Sequence, residues 1–270
     1  MRLHLFSDLH LEFGRIKFPD EVTTGSLAEI VLLAGNISIE HQIVAWAART
    51  FNQPVAIVGG NYESYRGNVV SAIAEYQREA EEATENRKTP VRYLERQMWQ
   101  LEGRDGTPVR ILAATLWTDF ELFGSENRVK AMTHALHYGN EYCYRKLWKA
   151  VIGENPGLLP TDTSFIHRRT VEFLEAELKV PFDGVTIVLT HHAPSPMSLP
   201  KTDRGQLQAA TYASALDDFI EEYQPHFWAH GHGRISVDYH IGRTRIVSNP
   251  MGYAPAHFNP LFDPAFVIAI

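Results

Sequence analysis

The sequence has a single cysteine, Cys143, in 270 residues. That excludes an internal disulfide and fits a reducing compartment; the thiol itself is expected as a small core side chain on a helix. Long apolar runs are missing too. No stretch approaches the roughly 20 apolar residues of a membrane span, and the apolar stretch after Met1-Arg2 stops at Phe6, too short for a secretory h-region. No membrane partner is indicated, and a cytoplasmic protein is expected. Basic residues are outnumbered, 25 Lys and Arg against 32 Asp and Glu, giving a net charge of −7. A sequence-independent grip on nucleic acid needs clustered cations, so no nucleic-acid partner is indicated. No linker-like composition shift, repeat or low-complexity tract interrupts the chain, and a single domain over residues 1–270 is expected.

Hydrophobic residues at 44% and charged residues at 21% are ordinary for a globular protein, so the information lies in the order of residues. The opening stretch Leu5-Phe6-Ser7-Asp8-Leu9-His10 ends an apolar run in a carboxylate and an imidazole two residues apart. Residues i and i+2 of an extended backbone share a side, so one hard oxygen and one imidazole nitrogen converge at the strand end, half of a metal site. The pattern recurs after later apolar runs, as Gly35-Asn36, Gly60-Asn61-Tyr62-Glu63, His191-His192 and His230-Gly231-His232.

Strands are predicted at 2–7, 30–35 and 55–58, with a short helix before the third in which Val44, Ala47, Ala48 and Phe51 share a side. Strand, helix, strand at this spacing indicates a parallel sheet. A helix is predicted over 68–88, then strands over 91–101 and 109–116 joined at Asp105-Gly106. A helical insert around 125–179 follows, with patterns at 125–150 and 163–179 split by a loop from Gly153 to Pro160. Strand 185–189 runs into His191, 194–206 reads as a loop over the site, and Tyr212 to Tyr223 as a helix. Short strands are predicted at 226–229, 235–241 and 244–248, and Ala265–Ile270 closes the chain. The motifs fall at carboxyl ends of strands, where α/β sheets bind ligands.

Taken together, the sequence resembles the calcineurin-like metallophosphoesterases, whose pattern is Asp-x-His, Gly-Asp, Gly-Asn-His-Glu, His, then Gly-His-x-His. Leu116-Trp117-Thr118-Asp119-Phe120, Thr190-His191-His192-Ala193-Pro194 and Ser248-Asn249-Pro250-Met251-Gly252-Tyr253 look like bacterial members. The resemblance implies an α/β fold, a two-sheet α-β-β-α sandwich, and hydrolysis in which two metals polarise a phosphoryl group and supply a hydroxide. It matches Asp8 and His10 to the first metal, and Asn61, His191 and His232 to the second. Three positions depart from it: Asn36 stands where the family has a bridging aspartate, Tyr62 where it has a leaving-group histidine, and Arg234 where its last histidine completes the first site.

An amide brings no charge to offset two dications, and a guanidinium cannot donate a lone pair. The expectation is therefore at most one divalent ion, manganese, zinc or iron, at Asn61, His191 and His232 with Asn36, or none. Arg234 is expected to replace the other ion, paired with Asp8. Tyr62, Arg234 and His192 are the candidate catalytic residues, and Asn61, His230 and Arg234 the candidate contacts to a small anionic substrate. Three readings stay open: an altered phosphoester hydrolase, a non-catalytic binding or scaffold protein, and an enzyme turned to chemistry other than phosphate transfer.

Overall fold

Leu3 and Leu5 point to one side of the first strand and Phe6 to the other, and all three are fully buried. A strand with two apolar faces needs a cover on each, which places it inside a layered α/β structure. In the computed structural model, which describes residues 1–14, 16–39, 42–63, 67–138, 157–253 and 257–270, that is what surrounds it. The strands are β1 (Arg2–Phe6), β2 (Ile30–Ala34), β3 (Val55–Val58), β4 (Val91–Tyr93), β5 (Gln97–Glu102), β6 (Pro108–Ala114), β7 (Val185–Thr190), β8 (Phe227–His230), β9 (Val237–Ile241), β10 (Thr244–Ser248), β11 (Gly252–Tyr253), β12 (His257–Phe258) and β13 (Val267–Ala269). The helices are α1 (Asp20–Thr23), α2 (Ile43–Thr50), α3 (Val69–Glu85), α4 (Arg128–Tyr138), α5 (Pro160–Leu178) and α6 (Asp217–Tyr223).

The first sheet has the order β13-β1-β2-β3-β4, parallel except for β13; the second is mixed, in the order β5-β6-β7-β8-β10-β9. Leu3, Leu5, Leu32 and Val58 of the first sheet pack against Ile111, Ile187, Leu189 and Val247 of the second. On the outer face of the first sheet, Phe6, Leu33 and Ile57 meet Val44 and Phe51 at α2 and Tyr76 of α3. On the outer face of the second, Val188, Trp228 and Ile246 meet Leu174 of α5 and Ile220 of α6. The expected α-β-β-α sandwich is the observed architecture. Asn68 caps α3, its side chain accepting from the N–H groups of Val70 and Ser71, and Pro160 opens α5 where its missing N–H costs nothing.

Two expectations need correction. The strand anticipated over 91–101 is two strands in different sheets: β4 ends the first sheet and β5 begins the second. The chain crosses at Leu94 to Arg96, where Arg96 has φ +47° and the buried Glu95 carboxylate accepts from both the N–H and the hydroxyl of Thr115. The helix anticipated from Tyr212 starts only at Asp217; Leu207–Thr211 is a 3₁₀ turn, and the Ala193 N–H donates to the Tyr212 carbonyl while the Ser214 N–H donates to the Ala193 carbonyl, a bridge that holds residues 212–214 out of helical geometry. Cys143, residues 153–156 of the Gly153 to Pro160 loop and the 139–150 part of the first insert helix lie outside the described residues. Among the described residues no helix is long and apolar enough to cross a membrane.

Candidate metal centre

The parallel strands β1, β2 and β3 of one sheet and β7 and β8 of the other deliver the sequence motifs to a common edge. There the backbone leaves the extended region abruptly. Asp8, His10, Asn36 and His232 have φ of +52°, +44°, +54° and +53°, a left-handed conformation that costs non-glycine residues energy. The turns are tied across strands: the Asp8 N–H donates to the Gly35 carbonyl (2.9 Å), the His10 N–H to the Asn36 carbonyl (3.1 Å), and the Gly231 N–H to the His191 carbonyl (3.0 Å).

The imidazole of His191 sits at the centre, fully buried. Its neighbours include glycines that have no room for a side chain. A Cβ on Gly60 would collide with Asn36 Oδ1 and lie 2.8 Å from His191 Cε1, and one on Gly35 would collide with the His191 ring itself. Glu63 clamps the floor: its carboxylate accepts from the N–H groups of Gly60 (2.7 Å), Asn36 (3.1 Å) and Ile37 (2.6 Å), and burial pushes its pKa up to about 7.

Hydrogen bonds fix which atoms face the centre. The Tyr62 N–H donates to Asn36 Oδ1 (3.1 Å), so the Asn36 amide turns its NH₂ the other way, to Asp8 Oδ1 (3.1 Å) and Asn61 Oδ1 (3.0 Å). Asn61 therefore presents its oxygen. His191 Nδ1 lies 2.7 Å from the Ala34 carbonyl, which can only accept, so the proton is on Nδ1 and Nε2 carries a lone pair. That lone pair lies 3.1 Å from Asn61 Oδ1 and 3.1 Å from His232 Nδ1. A neutral His232 with its proton on Nδ1 can donate to that lone pair, whereas Asn61 Oδ1 can only accept, so the His191–Asn61 contact sets two acceptors against each other and favours a cation beside them. A proton on His191 is not the answer, because burial and the neighbouring His192 hold its pKa well below the usual imidazole value; His232 is held low for the same reasons. Asp8, His191 and His232 offer ligand atoms that all lie within 4.8 Å of one another. An Asp-His-His set with an amide oxygen beside it suits a borderline divalent ion.

This differs from the expected ligand set in three ways. Asp8 joins the two histidines instead of forming a separate site. Asn36, expected as a ligand, directs N–H donors at the ligand oxygens because the Tyr62 N–H holds its own oxygen. His10 places Nδ1 on Glu12 Oε1 at 3.2 Å and its ring against Tyr62 at 4.9 Å between centroids. Asp8 is buried, with burial raising its pKa to about 6 against the stabilising N–H donors of Asn36 and His232.

Arg234 does not pair with Asp8. Both Asp8 oxygens already have donors, and the guanidinium lies at the rim, exposed, 3.8 Å from Asp203, 3.4 Å from the Tyr212 hydroxyl and over the Tyr212 ring. Tyr212 in turn packs against His232, 5.1 Å between ring centroids. His192 is a brace. Its Nδ1–H donates to the Thr115 carbonyl (3.2 Å), its ring packs on Trp117 and His232, and burial lowers its pKa to about 3, so at neutral pH it is the uncharged imidazole and not an imidazolium acid. His230, expected to touch substrate, has both nitrogens occupied: Nδ1–H donates to the Gly231 carbonyl (2.9 Å), and Nε2 accepts from Ser198, which accepts from Tyr239. It ties the 194–206 loop to β8. Glu63 was visible in its motif without an evident role, whereas Ser198, Tyr239 and Thr115 gave no sequence signal, since a lone hydroxyl reveals a partner only in three dimensions.

No family model and no curated protein matches the sequence. Among solved structures, the chain aligns with the phosphopantetheinyl hydrolase of Mycobacterium tuberculosis at a TM-score of 0.67 and 16% identity, over 98% of this chain and 97% of that one. Looser likenesses are GAP50, the anchor in the inner membrane complex of Plasmodium (TM-score 0.48, 11% identity, 99% and 77% covered), and a dimetal phosphatase from Danio rerio (TM-score 0.46, 11% identity, 92% and 86% covered). The fold is that of the metallophosphoesterases.

Proposed function

We propose that the chain is a phosphoester hydrolase working with one divalent ion, held by Asp8, His191 and His232 with the Asn61 oxygen beside them. The observation that carries this reading is the convergence of ligand atoms from Asp8, His191 and His232 within 4.8 Å of one another, with two acceptors, His191 Nε2 and Asn61 Oδ1, facing each other at 3.1 Å beside them. A bound ion would supply a Lewis acid for a phosphoryl oxygen and an acidified water. The chain's own residues do the rest. The Ala34 carbonyl keeps His191 in the ligating tautomer. The Asn36 NH₂ takes the place of a bridging carboxylate and cross-links Asp8 to Asn61, so a second ion finds hydrogen-bond donors where it needs lone pairs. Arg234, at the rim beside Tyr212 and His232, presents a permanent cation to an incoming anion. Tyr62 stands half-buried against His10, where its hydroxyl is the candidate hydrogen-bond donor to the leaving oxygen.

The substrate class follows from the phosphopantetheinyl hydrolase likeness only as a choice of what to test: small phosphoesters, including a phosphopantetheinyl ester. Turnover of bis(p-nitrophenyl) phosphate and p-nitrophenyl phosphate with manganese, zinc or iron(II), abolished by His191→Ala, supports the reading. A second reading, a non-catalytic anion-binding protein, is favoured by the Asn36 orientation, which neutralises two would-be ligand oxygens. Anion binding with no turnover under any of the three metals selects it.

A further inference from the structure

Beside His10 the surface folds into a cavity of about 340 Å³, walled by Phe13, Ile16, Met251, Phe258 and Phe262, with Lys17 the one lysine or arginine among its described lining residues. It adjoins the candidate metal centre. The Met251 N–H donates to the Ser7 carbonyl and the Gly252 N–H to the Asp8 carbonyl, both at 3.0 Å, so one wall is fastened to the turn that carries Asp8. His10 forms another part of the wall, its ring 6.2 Å from that of Phe13 and 4.9 Å from that of Tyr62.

Ile16, Met251 and Phe262 pack into the core on the outer face of the first sheet, but two of the walls are poorly explained by folding alone. Phe13 is 57% and Phe258 49% exposed, and large apolar side chains gathered around a concavity mark a binding surface more often than a core. We infer that this cavity receives the organic arm of the phosphoester, so that the substrate carries an aryl or branched apolar group next to its phosphorus. The inference rests on the hydrolase reading for the identity of the ligand. Proximity argues for the occupant: His10, two residues from Asp8, forms part of the cavity wall, and Met251 and Gly252 are bonded to the Ser7 and Asp8 carbonyls, so a phosphoryl group held at Asp8 has this apolar space as a neighbour as well as the polar Arg234 and Tyr212. Lys17 at its edge gives a hydrogen-bond acceptor on the arm a partner.

Isothermal titration with two non-hydrolysable probes, 1-naphthylmethylphosphonate and methylphosphonate, in manganese buffer tests this. The naphthyl compound should bind at least about tenfold more tightly, the discrimination an apolar pocket gives even a single methylene. Ile16→Trp, which fills the cavity, and Phe258→Ala, at a half-exposed position that does not threaten folding, should each erode that ratio while leaving methylphosphonate affinity unchanged. Equal affinities in the native protein, or a ratio unchanged by both substitutions, would overturn the inference. Rates with 1-naphthyl phosphate and methyl phosphate separate the two claims. The tenfold binding ratio without turnover keeps the cavity and removes the hydrolase reading; turnover of both esters at equal kcat/KM does the reverse.

Discussion

Replacing Asn36 by aspartate restores a carboxylate at the position where the amide now holds the cluster together. The Asn36 Nδ2 lies 3.1 Å from Asp8 Oδ1 and 3.0 Å from Asn61 Oδ1, and Asn36 and Asp8 are both buried. An aspartate loses both donors and sets a second carboxyl against one whose pKa burial already raises to about 6. A buried hydrogen bond to a charged partner is worth about 1.5–3 kcal/mol, and like-charge contact adds to the loss. A net cost of about 3 kcal/mol lowers Tm by roughly 6–12 °C in a chain of this size. Both carboxyls then have folded-state pKa values above their unfolded ones, so their favourable contribution exists at low pH and disappears as pH rises. The metal-free variant should accordingly be much less stable than the native chain at pH 8 and nearly level with it at pH 5, where the pair shares a proton. Manganese should reverse the deficit, because the added charge favours a cation. Thermal unfolding by circular dichroism, with chelator and with manganese at both pH values, measures this. A metal-free Tm at pH 8 equal to that of the native chain would refute the role given to the amide.

Arg234→Ala should change stability by less than about 0.5 kcal/mol, since the side chain is exposed, while raising KM for an anionic ester several-fold with little change in kcat; a large loss of Tm would mean that the guanidinium holds the fold. Gly60→Ala should cost about 1–3 kcal/mol and weaken metal binding together, because its Cβ meets both Asn36 and His191; calorimetry showing intact metal affinity would contradict the packing described. His230 is fully buried with its pKa lowered to about 4, so the unfolded chain takes its proton first and stability falls between pH 6.5 and 4, by about 3 kcal/mol. His230→Gln should flatten that part of the chemical-denaturation profile by nearly one proton, and an unchanged slope would show that His230 is not kept neutral.

The frame of this fold was legible because its strands are apolar on both faces and end in punctuation. Leu3 to Phe6, Ile30 to Ala34 and Val55 to Val58 read directly as covered parallel strands, and each is followed by a site residue. Two features were hidden. The 91–101 run has continuous strand composition, and only the Glu95–Thr115 contact, twenty residues apart, shows where the chain changes sheets. The four-residue spacing of Tyr212, Leu216 and Ile220 suggests one helix, but backbone bonds from Ala193 to Tyr212 and from Ser214 to Ala193 override it. At the site, the residues were legible and their orientations were not. Which edge of Asn36 faces inward depends on the Tyr62 N–H, which nitrogen of His191 ligates depends on the Ala34 carbonyl, and neither backbone group is visible as a letter in the sequence. The expected Arg234–Asp8 pair fails for the same reason: the Asn36 and His232 donors that satisfy Asp8 arise only from the folded turns.

Metal content per chain is the most direct test of the central claim. After loading with manganese and gel filtration, elemental analysis of the native protein should find about one ion per chain, with anomalous diffraction placing it between Asp8, His191 and His232, and Asp8→Ala and His191→Ala should each remove it. Two tightly held ions per chain, or one ion retained in both variants, would contradict the account.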